Sequence, residues 1–259
     1  MKIVADIGNT NIVVGIKNRG NWEHIWRFKT DKKGNSYQYS LKLNNLLWEA
    51  GIHPDKLTGK ILSSVVPELK ETYIKVLEGL NTLPVIVLDK NLYPKLDIKI
   101  LNPNEIGTDL VANALAAHHK IQDNVIIIDF GTALTFTVID KKGEILGVNI
   151  APGIKTAINA LSDKASQLDW VPLEVPEIPL GTDTKTAIQN GVLIGYTGLI
   201  SHMIKTIKNY LNGEFTVIAT GGLSGVLQGY LPQINHFDKN LTLDGLALLP
   251  ELIENRKKS

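Results

Sequence analysis

The chain has 259 residues, 44% hydrophobic and 20% charged, with a formal net charge of +1 and no cysteine. This composition fits a globular protein that buries roughly three quarters of its unfolded surface without staples, and it excludes disulfides, thiolate metal sites and a cysteine nucleophile. The only basic block is the terminal "RKKS" and no apolar run reaches the roughly 20 residues of a spanning helix, so neither nucleic acid nor a membrane is expected as a partner.

The first elements lie in "IVADIGNTNIVVGI", residues 3–16. Ile3, Val4 and Ala5 read as a buried strand that stops at Asp6. Gly8, Asn9, Thr10 and Asn11 read as a polar turn, and Val13, Val14 and Ile16 resume a strand. An N-terminus with one Lys and an apolar run broken by Asp6 is not a signal peptide, and a cytoplasmic protein is expected. The turn "KNRGN" leads to a third strand, "WEHIWRF", in which Trp22 and Trp26 share one face and read as packing. A helix follows over about 36–51. "KILSSVVP" (60–67) and "LPVIVLD" (83–89) read as buried strands flanking a helix over about 68–80. The next helix is expected to begin near Glu105 and to run through "LVANALAAHH". Asp109 sits just inside it, where an aspartate also serves as a routine cap or dipole residue. His118 and His119 fall near its end, where the dipole favours histidine. The other histidines, at 24, 53, 202 and 236, show no ligand spacing.

The opening pattern then recurs. In "VIIIDFGTALTFTVI" (125–139) an apolar run closes at Asp129, Gly131-Thr132 turns the chain, and Thr135–Val138 resume a strand. "DKKGE" leads to a third strand, "ILGVNIA", and a helix is expected over about 153–166. "TDTKTAIQNGVLIGYTGLISHMIKTIKNYL" (182–211) reads as one long helix, which Thr184 could cap. Gly191, Gly195 and Gly198 thin one side of it, for an interface or for core packing. "EFTVIATGGLSG" (214–225) reads as a strand, a glycine turn and a helix. The chain is thus an internal duplication of a domain-sized αβ unit. Two carboxylates, each closing a strand beside a Gly and Thr turn, could face one another across a cleft. That arrangement suits a metal-bound polyphosphate: turn amides and hydroxyls donate to phosphate oxygens, and carboxylates hold Mg²⁺ directly or through water.

These residues resemble a known superfamily, that of actin, Hsp70 and the acetate and sugar kinases. Within it, the chain is similar to the type III pantothenate kinases. The segments that carry the resemblance are "DIGNTN" (6–11), "SSVVPEL" (63–69), "NPNEIGTDLVANALAA" (102–117), "DFGTALTF" (129–136), "GVNIAPGI" (147–154), "LGTDT" (180–184), "AIQNGVLIGYTGLI" (187–200) and "ATGGLSG" (219–225), in that order. The resemblance implies an α/β fold of two duplicated ribonuclease H-like (actin-like ATPase) domains, each a mixed sheet flanked by helices, over 1–117 and 118–259. It implies an ATP-dependent kinase that phosphorylates pantothenate in the first step of coenzyme A synthesis. It also implies Mg²⁺, a monovalent cation (K⁺ or NH₄⁺) and a homodimer.

Carried over, the resemblance makes Asp6, Ile7, Gly8, Asn9, Thr10, Asn11, Ile12 and Val13 the first ATP-binding segment, with Asp6 toward the Mg²⁺ of ATP. It puts Gly107, Thr108, Asp109 and Leu110 at the substrate, with Asp109 the catalytic base. Asp129 would take the monovalent cation, Thr132, Gly221 and Gly222 would contact ATP, and Thr184 the substrate. The sequence departs from the family pattern at three of its positions: Leu110 stands for an Arg, Leu134 for a Thr and Thr137 for an Asp. An Arg would offer a fixed fork to an anionic group, which Leu cannot. A related kinase for another small hydroxy acid or sugar, and a non-catalytic nucleotide-binding dimer, are the competing readings.

Overall fold

The computed structural model describes residues 1–162 and 171–258. The chain forms two compact units, Met1–Ala116 with the C-terminal helix, and Ala117–Asn240.

The first unit opens with β1 (Lys2–Ile7), β2 (Asn11–Asn18) and β3 (Asn21–Lys29), then α1 (Ser36–Glu49), β4 (Gly59–Ser64), α2 (Pro67–Glu78) and β5 (Val85–Val87). The sheet order is β3-β2-β1-β4-β5. β1–β2 and β2–β3 pair antiparallel, β1–β4 and β4–β5 parallel. Strand alternation sends Ile3, Ala5, Ile7, Ile12, Val14 and Ile16 into one core with Leu43, Leu47, Leu69, Tyr73 and Leu77 of α1 and α2. A capping box between Asn35 and Gln38 starts α1.

β1 carries Lys2, Val4 and Asp6 toward the opposite face. Contacts of α6 (Leu241–Lys258) lie on that side. Lys2 Nζ donates to the Ala247 carbonyl at 3.2 Å and pairs with Glu251 at 2.7 Å. Asp244 accepts from Lys17 Nζ at 2.5 Å and from Trp22 Nε1 at 2.9 Å. A side chain at Gly15 would overlap Trp22 and crowd Leu243. The sequence reading names no helix here, and the resemblance places these residues in a domain over 118–259; their contacts count them with the first unit. An apolar periodicity marks a helix but does not say which sheet it covers.

α3 (Thr108–Ile121) runs through the boundary between the units. It begins three residues later than Glu105, because Asn102 takes the amides of Glu105 and Ile106 into a turn.

The second unit repeats the plan. β6 (Val125–Phe130), β7 (Ala133–Ile139) and β8 (Ile145–Pro152) precede α4 (Ile154–Ser162), α5 (Thr184–Leu211), β9 (Thr216–Thr220) and β10 (His236–Phe237). The sheet order β10-β9-β6-β7-β8, with the same pairing senses, matches that of the first unit strand for strand. Its core joins Ile126, Ile128, Phe130, Leu134 and Phe136 to Leu193, Ile200 and Ile204 of α5. One element differs from the sequence reading: the segment after β9 is a short 3-10 stretch, Ser224–Tyr230. Residues 163–166 of the helix expected over 153–166 lie outside the described residues.

Candidate active site

In the first unit, Asp6 is one residue inside β1 and not past its end. It is paired with Val13 of β2 and Ser63 of β4. Register neighbours share a sheet face, and Ser63 Oγ donates to Asp6 Oδ1 at 2.9 Å. The following turn is tight: Gly8 N–H donates to the Asn11 carbonyl at 3.0 Å, and a Cβ on Gly8 would stand 2.9 Å from that oxygen. Thr30 anchors the turn from outside, its Oγ1 donating to the Gly8 carbonyl at 2.6 Å and its amide to the Thr10 carbonyl. Asn9 and Thr10 are exposed at the tip. Ile7 and Ile12 are fully buried and hold the turn to the core.

Asp109 lies in the first turn of α3. Its Oδ1 accepts the Leu110 amide at 2.9 Å. Burial pushes its carboxyl above the ordinary carboxylate range, against the hydrogen bonds from the Leu110 and Asp109 amides that pull it down. Gly107 makes this arrangement possible, since a Cβ there would run into Asp109 Oδ1. The Thr108 hydroxyl meets Ser63 Oγ at 2.9 Å. The Leu110 side chain, expected in the substrate stretch, is only 8% exposed. It is core, so any contact this position makes with a substrate is through its backbone.

In the second unit, Asp129 likewise lies inside its strand, opposite Thr135 of β7 and Thr220 of β9. The hydroxyls of Thr135, Thr137 and Thr220 are buried with no protein partner among the described residues. Gly221 has φ +90°, and a Cβ there would collide with Asp129 Oδ1 and the Phe130 backbone. The Gly131-Thr132 turn is clamped from α4. The Thr132 carbonyl accepts from the Gly153 amide at 3.0 Å and from Thr156 Oγ1 at 2.7 Å. Ser224 Oγ closes the turn after β9 on the Gly221 carbonyl at 2.9 Å, with Gly222 exposed. Thr184 is exposed in the first turn of α5. The cap is Asp183, whose side chain accepts the Thr186 amide at 2.8 Å.

Each unit therefore offers a carboxylate near a strand end, beside a glycine turn with outward polar groups. Such turns bind phosphate oxygens, and the carboxylates bind hard cations. Sequence reading missed Ser63, Thr156 and the Thr135–Thr220 pair. The signal for Ser63 was present: an apolar strand, "GKILSS", that closes on hydroxyls beside the strand bearing Asp6.

The type III pantothenate kinase family model matches residues 2–206. A type III pantothenate kinase of Exiguobacterium sp. (strain ATCC BAA-1283 / AT1b) is 36% identical over 251 residues, 97% of this chain and 98% of that one. Another, of Acidiphilium cryptum (strain JF-5), is 36% identical over 249 residues, 96% of this chain and 94% of that one. Among solved structures, MreB 5 of Spiroplasma citri bound to AMPPNP superposes with a TM-score of 0.53 at 12% identity, covering 99% of this chain and 97% of that one. That likeness carries the fold, which is the actin-like ATPase fold with two mixed sheets. Over this fold, identity that runs nearly end to end in both relatives, together with the family model across residues 2–206, makes the chain a member of the type III pantothenate kinase family.

Proposed function

We propose that the chain is an ATP-dependent pantothenate kinase that makes 4'-phosphopantothenate, the first step of coenzyme A synthesis. The observation that carries this, on a chain of this family, is Asp109: a desolvated carboxylate held at the start of α3. The primary hydroxyl oxygen of pantothenate bonds to the γ-phosphorus of ATP while the bond to the β–γ bridging oxygen breaks. The hydroxyl proton passes to Asp109 and ADP leaves. A carboxyl whose pKa is raised by burial takes that proton more readily near neutral pH.

The ATP-binding residues are Asp6 to Val13, with Thr132, Gly221 and Gly222. Gly107, Thr108, Asp109, the Leu110 backbone and Thr184 bind the acceptor. Asp6 would hold the Mg²⁺ of ATP, which would supply charge neutralisation for the phosphates. Asp129 is the residue for a monovalent cation, K⁺ or NH₄⁺. The fit there is good: Thr135 and Thr220, in register on both sides of Asp129, add buried oxygens that have no hydrogen-bond partner among the described residues. Each compact unit is one actin-like ATPase domain. The chain works as a cytoplasmic homodimer. The support for the dimer is α5, where a Cβ at Gly191, Gly195 or Gly198 would meet no atom of the described residues within 4 Å.

The test is an ATP-coupled assay over a panel of hydroxylated acceptors in K⁺ and in Na⁺, with Asp109→Asn as control. Transfer to pantothenate that falls about 10²–10⁴-fold in the variant supports the reading. Transfer only to another acceptor supports a related kinase, the reading that buried Leu110 in place of an Arg favours. Nucleotide binding without any transfer supports a regulator. Equal rates in K⁺ and Na⁺ remove the cation from Asp129.

A further inference from the structure

Ser63 is fully buried at the end of β4. It touches two functional segments at once: Asp6 at 2.9 Å and Thr108 at 2.9 Å. The direction of these bonds follows from valence. An ionised carboxylate only accepts, and a serine hydroxyl has one proton to give. Ser63 gives its proton to Asp6, so the bond to Thr108 must be donated by Thr108. The chain of donation therefore runs from Thr108 Oγ1 to Ser63 Oγ to Asp6 Oδ1. Its two ends are the phosphate-side carboxylate on β1 and the first turn of α3, where Asp109 is the next residue.

We propose that Ser63 is a positioning residue for phosphoryl transfer, and that Thr108 acts through it: the relay Thr108–Ser63–Asp6 fixes the metal-nucleotide carboxylate relative to the turn that carries the base. The inference rests on the kinase reading and adds a residue to it. Geometry assigns the role. Asp6 and Ser63 are register partners on parallel strands, so their spacing is set by the sheet, and the Ser63 hydroxyl reaches from that pair to Thr108 of α3. Charge-assisted hydrogen bonds of this kind are shorter and stronger than neutral ones, and they hold a carboxylate in one rotamer. A buried serine left with only one of its two contacts loses that constraint at both ends.

The relay makes a prediction that direct substrate contact by Thr108 does not. Thr108→Val, which keeps shape and removes the hydroxyl, must weaken binding at the nucleotide side. The experiment titrates Mg²⁺ with a non-hydrolysable ATP analogue into wild type, Ser63→Ala, Thr108→Val, Thr108→Ser and the Ser63→Ala/Thr108→Val double variant. Steady-state kinetics and thermal melts are run in parallel. We expect Ser63→Ala to weaken analogue binding by about tenfold. Thr108→Val should weaken it in the same direction by a smaller factor, the double variant should be no weaker than Ser63→Ala, and Thr108→Ser, which keeps the hydroxyl, should recover the analogue binding that Thr108→Val loses. kcat should fall in both single variants. Three results overturn the proposal: analogue binding unchanged in Ser63→Ala, a Thr108→Val effect confined to the KM for pantothenate, or additive losses in the double variant. Should Ser63→Ala unfold, Thr108→Val and Thr108→Ser decide alone, the site of Thr108 being only half-buried. Failure of the kinase reading is seen separately, as absence of transfer to pantothenate by wild type, while the analogue titrations still report on the relay.

Discussion

Asp109 is where activity and stability pull apart. Its carboxyl is pushed up by desolvation, so the native state binds its proton more tightly than the unfolded chain does. Stability from that proton is fully present below the ordinary value of about 3.9 and is lost as pH rises through the raised native value. At neutral pH the ionised form is a cost the fold bears. Asp109→Asn keeps an oxygen for the Leu110 amide and removes the charge. We expect this variant to melt higher than wild type at pH 7, with the gain shrinking as pH falls below the native pKa, while turnover collapses. Melts across pH check the first part. The acid limb of kcat/KM, expected above the usual carboxylate range, checks the second. The residue pattern marked Asp6 and Asp129, carboxylates near the ends of apolar strands, whereas Asp109 read as a routine first-turn aspartate and was singled out only by the family resemblance. Desolvation of Asp109 was not legible. It depends on Gly107 letting the carboxylate fold back, and on Leu110 being drawn into the core, neither of which is a property of spacing.

At the level of elements, the turns after β1 and β9 depend on glycine for different reasons. Gly8 is needed for closeness to the Asn11 carbonyl. Gly221 is needed twice over, for φ +90° and because a Cβ would meet Asp129 and the Phe130 backbone. Gly20, at φ +89° in the β2–β3 turn, has no neighbour among the described residues within 4 Å of such a Cβ. The pair separates backbone strain from collision. Gly20→Ala should cost only the left-handed penalty, about 1 kcal/mol. Gly221→Ala should cost about 1–3 kcal/mol more and should also weaken nucleotide binding, since Asp129 has to move. Chemical denaturation of both variants measures the difference, and equal losses would mean the Gly221 turn relaxes freely. The strands β1 to β9 and the helices α1 to α5 were read from periodicity, while β10 and α6 were not read. The misses fall where local chemistry wins over periodicity. Asn102 delays α3, Asp183 and not Thr184 caps α5, and the chain after β9 tightens into a 3-10 stretch as Ser224 turns back on Gly221.

For the molecule as a whole, the duplication was legible because each copy carries its own strand, turn and strand signature, and the matching sheet orders follow from it. The placement of the last helix was not. α6 buries Leu241, Leu243, Leu246 and Leu249 to 3% exposure or less, and its polar anchors reach Lys2, Lys17 and Trp22. Full burial of one leucine side chain is worth about 1.5–3 kcal/mol, so four of them rival the total of about 5–15 kcal/mol that holds a typical domain folded. Truncation after Asn240 should therefore unfold the first unit, although every residue of that unit before Ala116 remains. The second unit, Ala117–Asn240, loses no residue by this cut. Hydrogen exchange read by mass spectrometry on the truncated chain should show full exposure across β1, β2 and β4 while β6, β7 and β9 stay protected. If the second sheet opened first, α6 would belong to the domain over 118–259 that the resemblance implies. Protection of the first sheet without α6 would mean that its stability resides in the core shared with α1 and α2.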